Sequence, residues 1–336
     1  MDYRQLFKDI ESHQWSGAYL FFGEEEYIKE QALQKLIDGL IPKDFRDLNY
    51  EMIDGSEVEP DSIINACETL PFMSPRRLIV VKDFYLFGGK KGTSEQEEQM
   101  LNYIKNTNEA TCLLFYCRGS VDKRKSIYKY INKAGKAYEF TRLEGRELTQ
   151  WVDQMLKKNG KSMPQYCINY FIDRVGNDLD NIHNEILKLI DYVGNNKIID
   201  KDAIDHVVTP SLEENIFKLV DAIGEKKAGL ALTLLKDLLD GGQAVAPILS
   251  MIARQFRLIM QCKEYYGQGY SANTISGKIG LPGFIVRKCI AQSRNFTLEQ
   301  LKTGLSLCLD LDYGMKIGKI KDITGLEMLI IKMCRT

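Results

Sequence analysis

Glu68-Thr-Leu-Pro-Phe-Met-Ser-Pro-Arg-Arg-Leu-Ile-Val-Val81 runs from one kind of element into another. Its first residues close a helix expected over 61–69, where Asp61 is placed to cap and Ile63, Ile64 and Cys67 recur at helical spacing. Its last four residues are an apolar, β-branched run of the kind found in a strand buried on both faces of a parallel sheet. Between the two, Pro71 biases Leu70 away from the α region, and Ser74-Pro75 makes a second break. Leu70, Phe72 and Met73 therefore sit on a stiff connection, and two readings stand. They roof the core of their own domain, or they project as a small apolar knob that fills a pocket on a partner.

Outward from this stretch the alternation continues. Strands are expected at 18–22, 48–53, 78–82, 111–117 and 136–140, and helices at 24–40, 61–69, 94–105 and 123–134. That order predicts a mainly parallel sheet with helices on both faces. The insert Phe87-Gly-Gly-Lys-Lys-Gly-Thr93 reads as a flexible loop with solvated lysines. Residues 145–208 carry only helical periodicity. Thr209-Pro210-Ser211 is the clearest boundary in the chain, with Ser211 placed to cap the next helix and Glu214 to complete a capping box. From 211 onward the pattern is helical throughout, punctuated by glycines. The expected organisation is thus an α/β domain at 1–142 and two all-α domains at 143–210 and 211–336.

The composition excludes several classes. With 44% hydrophobic and 27% charged residues, the chain of 336 is an ordinary globular sequence. Its apolar runs are too short to span a membrane, and its N-terminus lacks an apolar signal core, so a cytoplasmic location without membrane contact is expected. The eight cysteines form no Cys-x-x-Cys pair and the three histidines no cluster, so neither a metal site nor a disulfide framework is expected. Residues 211–336 hold 17 Lys and Arg against 12 Asp and Glu, a net of +5, against a net of −6 before them. That asymmetry permits a nucleic-acid contact in the last domain without requiring one.

The turn after the first strand is where a nucleotide-binding α/β domain would cradle phosphate. It reads Gly23-Glu-Glu-Glu-Tyr-Ile-Lys-Glu30, without the second glycine and the Lys-Ser/Thr pair of a P-loop. Three carboxylates oppose an anion there and suit the positive end of a helix instead. The strand at 78–82 ends in Lys82-Asp83, a poor arrangement for holding Mg²⁺. No cofactor, no metal and no catalytic residue of its own are expected.

Three basic stretches remain. Arg118-Gly-Ser-Val-Asp-Lys-Arg-Lys125 reads as a solvated helix start, with phosphate contact as the alternative. Ser271-Ala-Asn-Thr-Ile-Ser-Gly-Lys-Ile-Gly-Leu-Pro-Gly-Phe-Ile-Val-Arg-Lys-Cys-Ile290 has the layout of a helix-turn-helix, but its second helix is too apolar to leave a face free for a groove. Asp310-Leu-Asp-Tyr-Gly-Met-Lys-Ile-Gly-Lys-Ile-Lys321 sets Lys316 and Lys319 three apart, on one face if helical, where they are candidates for DNA contact.

Taken in order, Tyr19-Leu-Phe-Phe-Gly-Glu-Glu-Glu-Tyr27, the 69–81 segment, Gly176-Asn-Asp-Leu-x-x-Ile-x-x-Glu-Ile-x-Lys-Leu189, Asp312-x-x-Met-Lys-Ile-Gly318 and Leu326-Glu-Met-Leu329 resemble the delta subunit of the bacterial DNA polymerase III clamp loader. The resemblance spans nearly the whole chain. It implies an AAA+ type domain with a degenerate nucleotide site, then a helical lid and a helical collar that joins the other loader subunits. It further implies a non-catalytic component of the DNA polymerase III holoenzyme, a nucleotidyltransferase as a complex. Its partners would be the sliding clamp (beta), the other loader subunits and primer-template DNA. The family's hydrophobic clamp contact maps to Leu70 and Phe72, with Pro71 and Met73 beside them. The rival readings are a working ATPase, a non-catalytic AAA+ adaptor of another kind, and a DNA-binding regulator that uses 271–290.

Overall fold

The structure is a computed structural model that describes residues 6, 10, 15–88 and 92–335. The lysines of the 87–93 insert lie outside the described residues. The chain divides into two compact units, Met1–Leu143 and Glu144–Thr336.

The first unit is built on a five-stranded sheet in the order β2-β3-β4-β1-β5. Its strands are β1 (Gly17–Gly23), β2 (Tyr50–Asp54), β3 (Arg77–Lys82), β4 (Thr111–Tyr116) and β5 (Ala137–Phe140). All pairings are parallel, with Leu78 opposite Cys112 and Leu20 opposite both Phe115 and Ala137. The two central strands carry the most continuous apolar runs. Leu78 to Val81 in β3 and Cys112 to Phe115 in β4 are wholly buried, as a parallel sheet covered on both faces requires. Ala18, Leu20 and Phe22 share one face with Ile79, Val81, Leu113 and Phe115, under residues of the helices Pro60–Glu68, Ser94–Lys105 and Ser126–Lys133. On the other face Trp15, Tyr19, Phe21, Tyr138 and Phe140 make an aromatic layer, with Trp15 and Tyr19 ring centroids 4.3 Å apart. Helix Glu26–Leu40 buries Ile28, Ala32, Leu33, Leu36 and Ile37, the stripe its sequence predicts.

Among the boundaries that differ from the sequence reading, three have a polar reason. Residues 48 and 49, expected in a strand, end the short helix Arg46–Asn49, because the Asn49 amide turns back to the Phe45 carbonyl at 2.9 Å. The helix expected from 123 begins at Ser126, since the Asp122 carboxylate accepts from the Arg124 N–H at 3.0 Å and holds a turn. The helix expected at 61–69 is Pro60–Glu68 with proline in its first turn, so Asp61 lies inside the helix and accepts from Gln99 rather than capping.

The second unit is helical. Helices Gly145–Lys158, Gln165–Val175, Leu179–Val193 and Lys201–Val207 bury Leu148, Val152, Phe171, Ile182, Ile186 and Ile204. Ser211 caps the next helix, Leu212–Gly224, through the Glu214 N–H at 3.2 Å. The Glu214 side chain does not complete the box; it pairs with Lys288 at 3.0 Å. Helices Leu212–Gly224, Ala228–Asp240, Val245–Gly267, Leu298–Lys316 and Asp322–Arg335 then share one large core around Ile252, Phe256 and Leu326.

The helix-turn-helix layout is present as Ala272–Ile279 and Gly283–Gln292, joined through Gly280 in the left-handed region. Its second helix buries Ile285, Val286, Cys289 and Ile290 in a cluster with Leu258 and Cys262, and Gln255 bonds Gln292 at 2.6 Å inside it. Lys288 is held between Glu214 and Asp173. The element is therefore packed into its own unit.

A candidate docking tip and a closed nucleotide position

Helix Pro60–Glu68 ends where Thr69 turns extended ahead of Leu70 and Pro71, and the chain returns to the sheet at Arg77. In the connection, Leu70 is 72% exposed, Phe72 53% and Met73 72%, while Pro71 is half-buried. These side chains do not roof the sheet core. Leu48 and Met52, at and beside the edge strand β2, are exposed as well.

The backbone of the connection is held firmly, although it belongs to no helix or strand. The side chain of Asn49, fully buried, accepts the Phe72 N–H at 2.7 Å and donates to the Phe72 carbonyl at 2.8 Å. The Phe45 ring lies 6.4 Å from the Phe72 ring in an edge arrangement. Met73 takes a φ of 48°, a strained conformation for a side chain without a compensating polar group. Beyond it, the Ser74 hydroxyl donates to the Arg76 carbonyl at 2.9 Å, and Arg77 reaches the Leu48 carbonyl and the Glu51 carboxylate, both at 2.6 Å. The result is three apolar side chains standing out from a base fixed by polar contacts. Sequence reading found the apolar residues but assigned Asn49 to a strand; the missed signal was an asparagine, which favours backbone partners over a ladder.

At the end of β1, where a P-loop would stand, the turn is tied inward by its own side chains. Lys29 is fully buried, and its ammonium donates to the carbonyls of Gly23 at 2.8 Å and Cys117 at 2.9 Å. It also pairs with Glu26 at 2.6 Å. The second Glu26 oxygen accepts from the Tyr116 hydroxyl at 2.9 Å. Burial, and then that carboxylate, push the Tyr116 hydroxyl above its ordinary range. Of the three carboxylates in the turn, Glu26 is thus the anchor of an internal network. Glu24 points outward, 3.6 Å from Arg142, and Glu25 is buried. Lys29 was not singled out from sequence; its cue was a lysine one turn after a glutamate on an otherwise apolar helix face.

Gly23 serves this closure. Its N–H donates to the Gly119 carbonyl at 2.7 Å, and its φ is 121°. A Cβ there would stand 2.2 Å from the Phe140 carbonyl oxygen. Gly23→Ala is expected to destabilise the first unit by about 3 kcal/mol or more, from backbone strain plus collision. Urea unfolding of the variant checks this; a loss below about 1 kcal/mol would show that β1 and β5 can separate at little cost.

The other groups a nucleotide site would use are also engaged. Asp83 accepts the Arg118 N–H at 2.8 Å and lies 3.5 Å from the Arg118 guanidinium. Lys123 pairs with Glu139, Arg124 with Asp122 and Lys125 with Glu97, at 2.8 to 3.0 Å. The basic run 118–125 is therefore neutralised within its own surface. Among the described residues no group of three or more His, Cys, Asp or Glu could hold a metal ion. All eight cysteines are buried and unbridged, and burial pushes the thiols of Cys67, Cys112, Cys117 and Cys308 up to about 12.

Lys316 and Lys319 do not share a helical face. Helix Leu298–Lys316 ends at the first of them, and the chain turns at Ile317 and Gly318. Two glycines shape this turn. A Cβ on Gly314 would meet Ile320 at 2.5 Å, and one on Gly325 would meet Leu311 at 2.3 Å, so the turn folds back tightly onto the helix. Lys316 pairs with Asp312 at 2.7 Å and is otherwise exposed, as is Lys319.

The chain thus joins an α/β unit, a parallel sheet whose first turn is tied inward by Lys29 and Glu26, to an all-helical unit. Two family models match the chain. "DNA polymerase III, delta subunit" covers residues 19–141, and "DNA polymerase III delta subunit, C-terminal domain" covers 213–333. DNA polymerase III subunit delta of Bacillus subtilis is 27% identical over 98% of this chain and 96% of its own length. The probable DNA polymerase III subunit delta of Aquifex aeolicus is 24% identical over 85% and 82%. Among solved structures, the Bacillus subtilis DNA clamp loader delta protein superposes with a TM-score of 0.75 over 99% of both chains, at 27% identity. The chain belongs to the DNA polymerase III delta subunit family, the delta component of the clamp loader.

Proposed function

We propose that this chain binds the sliding clamp through Leu70, Pro71, Phe72 and Met73 and helps to open its ring for loading onto primed DNA. The observation that carries the reading is the exposure of Leu70, Phe72 and Met73 on a loop whose backbone is pinned. Burying two such side chains in a pocket contributes roughly 3–6 kcal/mol before the costs of association. That energy favours an open ring only to the extent that the open clamp binds the tip better than the closed one. Titration of sliding clamp against the full chain tests the reading; no association at micromolar concentrations overturns it.

In the same proposal the chain has no catalysis of its own. The Lys29 network fills the place of a triphosphate, so ATP acts through partner subunits. Isothermal titration of the isolated chain with Mg-ATP is expected to give no heat of binding. A dissociation constant below about 1 mM would reverse this part. Residues 143–210 serve as the lid and 211–336 as the collar that joins the other loader subunits. Lys316 and Lys319, exposed beside the Gly314 turn, are offered as contacts to the phosphates of primer-template DNA within the complex. The chain works in the cytoplasm; among the described residues no helix is long and apolar enough to cross a membrane.

A further inference from the structure

We infer that Asn49 is a positioning residue for the docking tip, holding Phe72 in its binding posture before the clamp arrives. The inference rests on the docking role proposed above. Phe72 lies outside every helix and strand, yet both its backbone groups are satisfied by one side chain: Asn49 Oδ1 accepts its N–H at 2.7 Å and Asn49 Nδ2 donates to its carbonyl at 2.8 Å. This is the pair of bonds a neighbouring strand would supply. The same Nδ2 also donates to the Phe45 carbonyl at 2.9 Å, so the amide is locked at its own end. Asn49 is one of the few polar side chains in the described chain that are fully buried. Its burial is accounted for by these three bonds, two of them to the exposed loop.

The next residue, Met73, sits at a φ of 48°. Strain of that kind persists where the surroundings over-determine the backbone, and here the Asn49 bonds are the fixed point before it. The Phe45 ring limits the Phe72 ring from one side. An apolar tip ordered in advance loses less freedom on binding, and that saving appears as affinity.

The test compares Asn49→Asp and Asn49→Ala with the parent and with Phe72→Ala, each as the full chain titrated with sliding clamp. The aspartate variant keeps the shape and the acceptor for the Phe72 N–H, but it loses the donor and sets a charged oxygen against two carbonyls. Both Asn49 variants are expected to bind about tenfold more weakly than the parent. Relative to the parent at each pH, Asn49→Asp is expected to regain affinity as pH falls through the carboxyl range, because the neutral acid recovers a donor; Asn49→Ala is not. Amide exchange supplies a readout without the clamp: the Phe72 N–H should be protected in the parent and fast in Asn49→Ala, while Val80 in β3 stays protected in both. Weakened binding by Phe72→Ala with parental binding by Asn49→Asp overturns this inference alone, as does unchanged Phe72 exchange. Parental binding by Phe72→Ala overturns the docking role and this inference with it.

Discussion

Phe72→Ala is expected to weaken binding of the sliding clamp by about 2–4 kcal/mol, a loss of roughly 30- to 1,000-fold, while leaving the folded chain as stable as before. The two halves of this expectation have separate physical grounds. An aromatic side chain that fills a pocket loses its whole buried area on truncation, and such anchors dominate interface energies. In the free chain the same ring is half-exposed, with the Phe45 edge on one side, so its removal is expected to cost the fold less than about 0.5 kcal/mol. Calorimetric titration gives the first quantity and thermal unfolding the second. A parental dissociation constant for the variant would remove the tip from the interface. Parallel losses of affinity and melting temperature would make Phe72 a structural residue instead.

The second large effect is on stability. Lys29→Met is expected to destabilise the chain by about 3 kcal/mol. Methionine fills the space of the lysine stem but leaves the Cys117 carbonyl without its lysine donor, the Gly23 carbonyl with the Gly119 N–H alone and the Glu26 carboxylate without its cation. Glu26 keeps access to water and the Tyr116 hydroxyl, which holds the cost below that of a wholly buried orphan charge. Urea unfolding measures the difference. The variant is also expected to stay silent toward Mg-ATP, since Gly23 remains pressed against Phe140 and Asp83 remains tied to Arg118. A variant of parental stability would show that the ammonium contributes nothing net. A variant that gained nucleotide binding would show that Lys29 alone closes the site.

How much of this was legible beforehand depends on the kind of residue. The strands announced themselves where both faces are buried: Leu78 to Val81 and Cys112 to Phe115 have no polar residue to misplace. The apolar tip was legible as composition between two prolines, but its exposure was not, because apolar character alone does not say which way a side chain faces. What escaped were polar residues acting at long sequence range. Asn49 acts on Phe72, and Lys29 on the Cys117 carbonyl, across loops that no local pattern encodes. The supposed common face of Lys316 and Lys319 failed for a related reason. The glycine notches at 314 and 325 draw the chain back on itself, and that stop depends on Ile320 and Leu311 as much as on the helix.

The burial of every cysteine makes the chain ready for site-selective labelling. Maleimide chemistry needs an accessible thiolate, and all eight native sulfurs are enclosed. A single Met73→Cys replacement would therefore carry a fluorophore in an otherwise native background, beside the strained turn it is meant to watch.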